Sequence, residues 1–429
     1  MEPDLNSLCR VAYRRRTIVA LLLALLPGGA LLVGSAKAQT AAPTAVASGT
    51  EYQLIGVFDL ARLDRIMGDE LQDFMKSSPL PGEFKGRFPA ARYPVRLYRV
   101  RYASVVPELD NRPTVASGLV AVPETGRSTM PMVSYQHGTV FERTSAPSRP
   151  DESMETRIMI ARFASQGYVV IGADYFGRGD SELPDSYLVK GSTQQATYDM
   201  LSAAKSVLSS LGVGTSHLFV SGWSQGGWAT MAYLQKLEGV GVPVTAAAVA
   251  SAPVDISLIV NRWLNNPQPV DAIYLPGVLS LQLQAHANYH DMPGLDETAI
   301  RPEYLSAARD LYAGRVDFST FYSRTKPTLR EFTRPEFRAA IAVGKGTYWR
   351  GIDASQAYRW RRVTPLRTWY GGSDEVTPVM IGKLPEQTQA LLGGAETRAM
   401  DAGDKADHRA VFVRAVLDQK DWFDSFLVK

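Results

Sequence analysis

The sequence predicts an α/β fold in which a mostly parallel central sheet is covered by helices on both faces. Short continuous apolar runs, such as residues 168–171 and 218–220, have the pattern of strands that are buried on both sides. Segments with helical spacing lie between these runs, and strands that alternate with helices form parallel sheets. The alternation is interrupted once, by about a hundred residues of helical character. This interruption predicts a helical cap inserted between two strands.

The core is expected to open with a helix and a pair of strands. Residues 52–75 have helical spacing, and residues 95–102 alternate apolar and polar side chains like a half-exposed strand. A turn at residues 110–113 separates this strand from a second one at 115–122, and a short third strand follows at 131–135. The remaining core elements predicted are helices at 156–165, 194–211, 227–237, 378–392 and 410–426, and strands at 168–171, 218–220, 244–251, 365–370 and 396–400.

The interruption at residues 255–362 divides the core into a first part, residues 39–254, and a second part, residues 363–429. Within it, residues 278–289 and 302–312 have helical spacing. We expect most of its aromatic side chains to form the core of the cap itself. The aromatic residues in question are Trp263, Tyr274, Tyr289, Tyr304, Tyr312, Phe318, Phe321 and Tyr322.

Residues 1–38 have the pattern of a cleavable signal peptide. Arginines at 14–16 form a positive region, residues 18–33 are apolar, and the Ala-Lys-Ala motif at 36–38 is a small-residue cleavage signal. We therefore expect a secreted or periplasmic protein whose mature chain begins near Gln39. The alternative is an uncleaved membrane anchor, which the short, Pro- and Gly-interrupted apolar stretch disfavours. The arginines leave both Sec and twin-arginine export open.

Charge, cysteine count and motifs narrow the possible functions. Five of the 46 basic residues and two of the 43 acidic ones lie in the predicted signal, so the mature chain is formally neutral. A neutral chain gives no support for nucleic-acid binding. The single cysteine, Cys9, also lies in the signal, so the mature chain can form no disulfide. No metal and no cofactor is expected, because the sequence has no zinc-ligand spacing and no phosphate or dinucleotide motif.

Ser224 is the candidate nucleophile. It is the centre of the pentapeptide Gly-Trp-Ser-Gln-Gly at residues 222–226, which lies between a predicted strand and a predicted helix. On a tight turn between such elements a serine hydroxyl is held clear of both and can attack a carbonyl. The glycines permit the turn and the close passage of neighbouring backbone.

A serine nucleophile needs a general base, and the base needs an orienting carboxylate. With this serine turn the expected chain order is serine, then acid, then histidine. Of the five histidines only His408 follows the last long strand, so it is the predicted base. The competing interpretation is a surface histidine that caps the last helix.

Asp374 is the predicted acid because it lies in a loop, rich in glycine, directly after the strand at 365–370. Glu375 is the alternative. Asp404 and Asp407 are less favoured because they share the loop of His408. Asp374 could also act as a helix cap.

The negative oxygen of a tetrahedral intermediate needs hydrogen-bond donors, which are usually two backbone N–H groups. One is expected from Gln225, directly after the nucleophile. The other is expected from Thr139, with Gly138 as its neighbour, in the loop after the strand at 131–135. His137 is interpreted as a structural residue of that turn.

Three segments together resemble the α/β-hydrolase superfamily: residues 134–139, 174–181 and 222–227. Within it the pattern is similar to the secretory lipase and carboxylesterase family, the lipase-A-like enzymes. Residues 98–102 and 116–123 also resemble the opening hairpin of that family. The cap matches only in position and helical character, so the resemblance does not carry over the identity of the substrate.

The resemblance implies an α/β-hydrolase fold with an eight-stranded sheet, hydrolysis of carboxylic esters and no cofactor. It also implies a triad of Ser224, Asp374 and His408.

The sequence is compatible with three functions. The first is a secreted serine esterase or lipase that acts on a small-molecule or lipid ester, with transient contact to a lipid surface through the cap. The second is a serine peptidase or amidase on the same fold. The third is a non-catalytic hydrolase-like binding protein, which the intact serine, acid and histidine set disfavours.

Overall fold

The computed structural model describes residues 42–46, 49–325 and 328–427; the predicted signal peptide lies outside these residues. In this part of the chain ten strands form one sheet. The strands are β1 (Thr44–Val46), β2 (Thr50–Phe58), β3 (Val95–Val106), β4 (Arg112–Pro123), β5 (Thr129–Gln136), β6 (Val169–Ala173), β7 (Gly214–Trp223), β8 (Ala246–Ala250), β9 (Leu366–Tyr370) and β10 (Thr397–Asp401).

The order of the strands across the sheet is β1-β2-β3-β4-β6-β5-β7-β8-β9-β10. Neighbours from β6 to β10 are parallel. The pairs from β1 to β4, and the pair of β4 with β6, are antiparallel. The predicted α/β fold with a mostly parallel sheet is confirmed. The sheet has ten strands and not the eight that the resemblance implied, because β2 continues the antiparallel edge beyond β3 and β1 pairs with β2.

The central strands are buried on both faces. All five residues of β8 are buried. Ala247 and Val249 belong to one hydrophobic core, whereas Ala246 and Ala248 belong to a second core on the other face. Successive side chains of a strand point to opposite faces, so helices must cover both sides of this strand.

The helices before the insertion are α1 (Leu60–Arg65), α2 (Leu71–Met75), α3 (Met154–Phe163), α4 (Lys190–Ser210) and α5 (Gln225–Gly239). A single π-helical turn, Ile66–Glu70, joins α1 to α2. Short 3₁₀ turns lie at Pro107–Leu109, Pro150–Glu152 and Ala164–Gln166.

Eight helices lie between β8 and β9 in the described chain: α6 (Ile256–Asn265), α7 (Leu275–Tyr289), α8 (Leu295–Ala299), α9 (Pro302–Tyr312), α10 (Phe318–Thr325), α11 (Leu329–Phe332), α12 (Pro335–Ala342) and α13 (Thr347–Ala354). The hydroxyl of Tyr289 donates to the Pro184 carbonyl at 2.7 Å, and that of Tyr312 donates to the Asp185 carbonyl at the same distance. These contacts fasten the inserted helices to the core. The chain then ends with α14 (Val379–Leu392) and α15 (His408–Asp424).

The predicted helix at 52–75 is wrong in its first third. Residues 50–58 form β2, and helix begins only at Leu60, where the Asp59 carboxylate caps it by accepting from the Arg62 N–H at 2.7 Å. Residues 50–58 form a strand because of their tertiary contacts. Strand β2 pairs along its length with β3, and Tyr52 packs edge-on against Tyr98 of that strand. Such pairing outweighs the weak helical pattern.

None of the described helices has both the length and the apolar content that a bilayer span requires.

Candidate active site

Ser224 lies on a strained turn between β7 and α5. Its backbone has φ 57° and ψ −126°, which is an uncommon conformation for a residue with a side chain. The Ser224 N–H donates to the Ala250 carbonyl of the neighbouring strand at 2.9 Å, and the Ser224 carbonyl accepts from the Trp228 N–H at 3.1 Å. Backbone contacts to the sheet and to the helix therefore hold the turn, as the pentapeptide predicts.

The two glycines of the pentapeptide are required by close backbone contacts. A Cβ atom on Gly226 would lie 1.9 Å from the carbonyl oxygen of Gln136. A Cβ atom on Gly222 would lie 2.2 Å from the carbonyl oxygen of Gly226. Any side chain at either position would push the turn away from β5 or from the first turn of α5.

Asp374 lies in the loop after β9, and its side chain has no solvent exposure. Its Oδ1 atom is 2.9 Å from His408 Nδ1 and accepts hydrogen bonds from the N–H groups of Val376 and Thr377. Its Oδ2 atom accepts from the Ser251 hydroxyl at 2.5 Å. Burial acts to raise the pKa of the Asp374 carboxyl, but the adjacent imidazole and these donors outweigh burial and lower the pKa. The carboxylate is therefore ionised.

His408 is the first residue of α15, and its imidazole is buried beside Asp374. Because Nδ1 faces an ionised carboxylate, we assign the proton of the neutral ring to Nδ1, which leaves a lone pair on Nε2. Burial acts to lower the pKa of His408, and the Asp374 carboxylate outweighs it, so that the pKa is raised. The Trp223 ring lies 4.9 Å from the imidazole, centroid to centroid, and its Nε1 donates to the His408 carbonyl at 3.0 Å.

The other acidic candidates have different contacts. Glu375 Oε2 accepts from the backbone N–H of His408 at 2.9 Å, so this carboxylate caps the start of α15, and this hydrogen bond does not involve the imidazole. Asp407 is the N-cap of the same helix; it accepts from the Ala410 N–H and from the Ser78 hydroxyl. The structure thus pairs Asp374 with His408.

Gln225 and Thr139, the two residues predicted to supply the oxyanion donors, border the same cavity as Ser224. In the described chain neither N–H has a hydrogen-bond acceptor. The N–H of Gly138 differs, because it donates to both carboxyl oxygens of Glu155, at 3.1 and 2.9 Å. Gly138 is therefore not available as a donor, and Thr139 is the remaining candidate in this loop.

His137 has the structural position that the sequence indicates. Its ring stacks on Tyr175 at 4.2 Å, and its two nitrogens lie 2.8 Å from the Gly138 carbonyl and 3.1 Å from the Asp174 carbonyl. Burial lowers the pKa of His137 to about 4, so the ring is neutral at physiological pH.

A cavity of about 910 Å³ opens at Ser224, within the size range of small-molecule sites. His408, Thr139, Gln225 and Glu155 border it from the core. The inserted helices and their connections contribute apolar and aromatic walls, among them Ile259, Trp263, Ile273, Tyr274, Phe318 and Tyr322. Four of the eight aromatic residues noted in the cap thus border the cavity. Trp263, Tyr289 and Phe321 are buried in a hydrophobic core, which the inserted helices share with the rest of the fold.

Glu155 is a site residue that sequence reasoning missed. It is the second residue of α3, where acidic side chains are common because the helix dipole favours them. No motif distinguishes it from other first-turn glutamates, so no signal in the sequence could have identified it.

Comparisons with known proteins are informative only at the level of structure. No protein-family model matches the chain, and no curated protein matches its sequence. A Legionella pneumophila protein described as a hydrolase superposes with a TM-score of 0.76 at 24% identity, over 87% of this chain and 97% of that chain. The rice cell wall degrading esterase LipA of Xanthomonas oryzae gives 0.75 at 20% identity, over 89% and 100%.

Candida antarctica lipase A is a more distant structural neighbour. It superposes with a TM-score of 0.59 at 18% identity, over 78% of this chain and 79% of that chain. All three likenesses are below 25% identity, so they establish the fold and leave the reaction to be argued from the site. The chain has the α/β-hydrolase fold that lipases and esterases share.

Proposed function

We propose that the protein is a secreted serine esterase or lipase that hydrolyses carboxylic esters through an acyl-enzyme. The observation that carries this proposal is the geometry around the cavity. A serine on a strained turn and a histidine border the same space, and a buried carboxylate lies 2.9 Å from the far nitrogen of that histidine. The α/β-hydrolase fold is compatible with acyl transfer, but a fold alone does not determine the reaction.

In the proposed reaction, His408 Nε2 takes the proton of the Ser224 hydroxyl as the oxygen attacks the ester carbonyl. Asp374 holds the imidazole in the tautomer that leaves Nε2 free and stabilises the imidazolium that forms. The carbonyl oxygen becomes an oxyanion, which the N–H groups of Gln225 and Thr139 stabilise. Collapse of the intermediate expels the alcohol, and His408 returns its proton to that leaving oxygen.

The second half of the reaction repeats these roles with water. His408 takes a proton from water, the hydroxide oxygen attacks the acyl carbonyl, and the new oxyanion is stabilised by the same N–H groups. Collapse of this intermediate breaks its bond to Ser224 Oγ, which takes the proton from His408, and the carboxylic acid is released. The proposal requires no cofactor.

The walls of the cavity favour an uncharged, apolar acyl group. Trp263, Phe318 and Tyr322 present aromatic surface to the space, and an unpaired charge buried there would be costly. Val270 and Ile273, which border the cavity between α6 and α7, are 47% and 48% exposed. We propose that they make the transient contact with lipid when the ester is part of an aggregate. A small-molecule ester in solution would not need this contact.

The decisive variant is Ser224→Ala. We expect it to lower hydrolysis of p-nitrophenyl esters by roughly 10⁴-fold or more and to prevent covalent labelling by a fluorophosphonate, while circular dichroism stays unchanged. Ser209→Ala, at an exposed serine of α4, is the matched control and should behave as wild type. Esters of graded chain length would identify the acyl preference.

Paired ester and amide substrates with one acyl group separate an esterase from a peptidase or amidase. Faster turnover of the amide would favour the latter. Near-normal ester hydrolysis by Ser224→Ala would contradict the proposed function altogether.

A further inference from the structure

The carboxyl group of Glu155 lies at the active site, yet the proposed reaction gives it no step. Its residue is only 8% exposed, and it borders the cavity together with Ser224 and His408. Both carboxyl oxygens are within hydrogen-bond distance of one donor, the N–H of Gly138. Ser153, the N-cap of α3, fixes the start of the helix by accepting from the Thr156 N–H, so Glu155 projects from a fixed support.

Gly138 is held on both sides of its Cα atom. Glu155 accepts from its N–H, and we assign the one proton of the neutral His137 ring to Nδ1, which then donates to the Gly138 carbonyl oxygen at 2.8 Å. The next N–H in the chain is that of Thr139, the proposed oxyanion donor. In a trans peptide the carbonyl and the following N–H point in opposite directions. Fixing the Gly138 carbonyl therefore fixes the direction of the Thr139 N–H.

The fit between Glu155 and this loop depends on the absence of a side chain at residue 138. A Cβ atom there would lie 3.0 Å from Glu155 Oε2 and 3.3 Å from the Trp223 carbonyl oxygen. The carboxyl, the glycine and the strand that leads to Ser224 thus occupy one tightly packed unit. A displacement of the loop by a few tenths of an ångström would move the Thr139 donor relative to Ser224.

We propose that Glu155 is the positioning residue of the oxyanion hole, which together with His137 aims the Thr139 N–H at the oxygen that becomes negative. This inference rests on the proposed esterase function. Glu155 acts through the loop and does not itself touch the substrate.

The charge of Glu155 is compatible with this position. Burial raises the pKa of the Glu155 carboxyl to about 8, although the Gly138 N–H, the Tyr135 hydroxyl and the nearby His408 act to lower it. At pH 7 the group is therefore mostly protonated and neutral. A neutral carboxyl can accept from the Gly138 N–H through its carbonyl oxygen without repelling an adjacent oxyanion. Glutamine has the same shape and the same neutral acceptor.

Three variants of the full chain test the inference. Glu155→Ala removes the acceptor and should lower kcat by about 10²-fold with KM unchanged, because misplacing one oxyanion donor impairs the transition state and not substrate binding. Glu155→Gln should retain the kcat of the wild type. Glu155→Asp withdraws the carboxyl by one methylene and should lose part of kcat. Glu303→Ala is the matched control, since Glu303 is also the second residue of a helix, α9, but is exposed.

A trifluoromethyl ketone provides the readout that a merely structural role would not move. It forms a hemiketal oxyanion with Ser224. In each variant its Ki should therefore rise, relative to the wild type, by the same factor by which kcat/KM falls. An unchanged kcat in folded Glu155→Ala, or a ketone Ki that does not change with it, overturns the inference.

If Glu155→Ala does not fold, full activity of Glu155→Asp, or loss of activity in folded Glu155→Gln, overturns it in the same way. The two proposals fail differently. If the wild-type protein does not hydrolyse esters, the proposed function is wrong. If the wild type is active and substitutions of Glu155 leave kcat unchanged, only this inference is wrong.

Discussion

The substitution Asp374→Asn tests the proposed triad, and the structure predicts how it should act. Asparagine replaces one acceptor oxygen by an NH₂ group. At the Oδ1 position that group would face three donors, His408 Nδ1 and the N–H groups of Val376 and Thr377. At the Oδ2 position it would face only the Ser251 hydroxyl, which can rotate to accept. The amide oxygen is therefore expected to stay opposite His408 Nδ1.

This orientation determines the size of the effect. Where an Asp→Asn substitution inverts the histidine tautomer, kcat falls by about 10⁴-fold. Here the tautomer is kept, and what is lost is the attraction between the carboxylate and the imidazolium of the transition state. For charges about 4 Å apart at an effective dielectric constant of about 20 this attraction is about 4 kcal/mol. At about 1.36 kcal/mol per factor of ten, kcat should fall by about 10³-fold.

The assay is kcat/KM for one ester as a function of pH. In the wild type, activity requires a neutral His408, so it should rise with pH through the raised pKa of that residue. Removing the negative charge lowers the pKa of His408, so the acid limb of Asp374→Asn should move to lower pH. Glu375→Gln is the control, because its amide oxygen can still accept from the His408 N–H. A crippled Glu375→Gln beside a mild Asp374→Asn would refute the assignment of the acid.

Three further predictions concern the turn, the cap and the N-terminus. Gly226→Ala should destabilise the protein by about 1–3 kcal/mol in urea unfolding, because its Cβ atom would meet the Gln136 carbonyl at 1.9 Å and backbone cannot yield cheaply; an unchanged midpoint would contradict the close contact. Phe318→Ser and Tyr322→Ser should shift chain-length preference in kcat/KM while fluorophosphonate labelling continues, and a flat preference would place the acyl pocket in the core. N-terminal sequencing should show that the exported protein begins near Gln39, whereas an intact Met1 in the membrane fraction would refute cleavage.

The parts of the site that sequence reasoning reached are those that chain order constrains. The pentapeptide predicts Ser224 on a strand-to-helix turn, and only one histidine follows the last long strand, so chain order alone selects His408 as the candidate base. Asp374 needed a choice between adjacent acids. That choice depends on which carboxylate is turned inward. In the structure it is Asp374 that accepts from Val376 and Ser251 and lies beside His408 Nδ1, so Asp374 stays the candidate acid.

The parts that sequence reasoning did not reach depend on tertiary contacts. The pattern of residues 52–58 is ambiguous until β3 is present to pair with them. Glu155 looks like an ordinary first-turn glutamate until the loop at Gly138 packs against it. The cap aromatics are alike in sequence, and only packing separates Phe321, which is buried, from Phe318, which borders the cavity.

The N-terminal segment of the core supports the loop that presents the histidine. The Asp407 carboxylate accepts from the Ser78 hydroxyl at 2.8 Å, a contact between residues 329 positions apart. Arg409 donates to the Phe74 carbonyl at 2.9 Å and to the Ser77 hydroxyl at 2.7 Å. These bonds are made by the side chains of the two residues that flank His408. Asp374 therefore contacts the imidazole itself, whereas α2 and the residues after it hold the neighbours of His408. Because the proposed catalysis by a positioned base would depend on sub-ångström placement, the helical segment before β3 belongs to the support of the candidate active site and is not only a cover for the sheet.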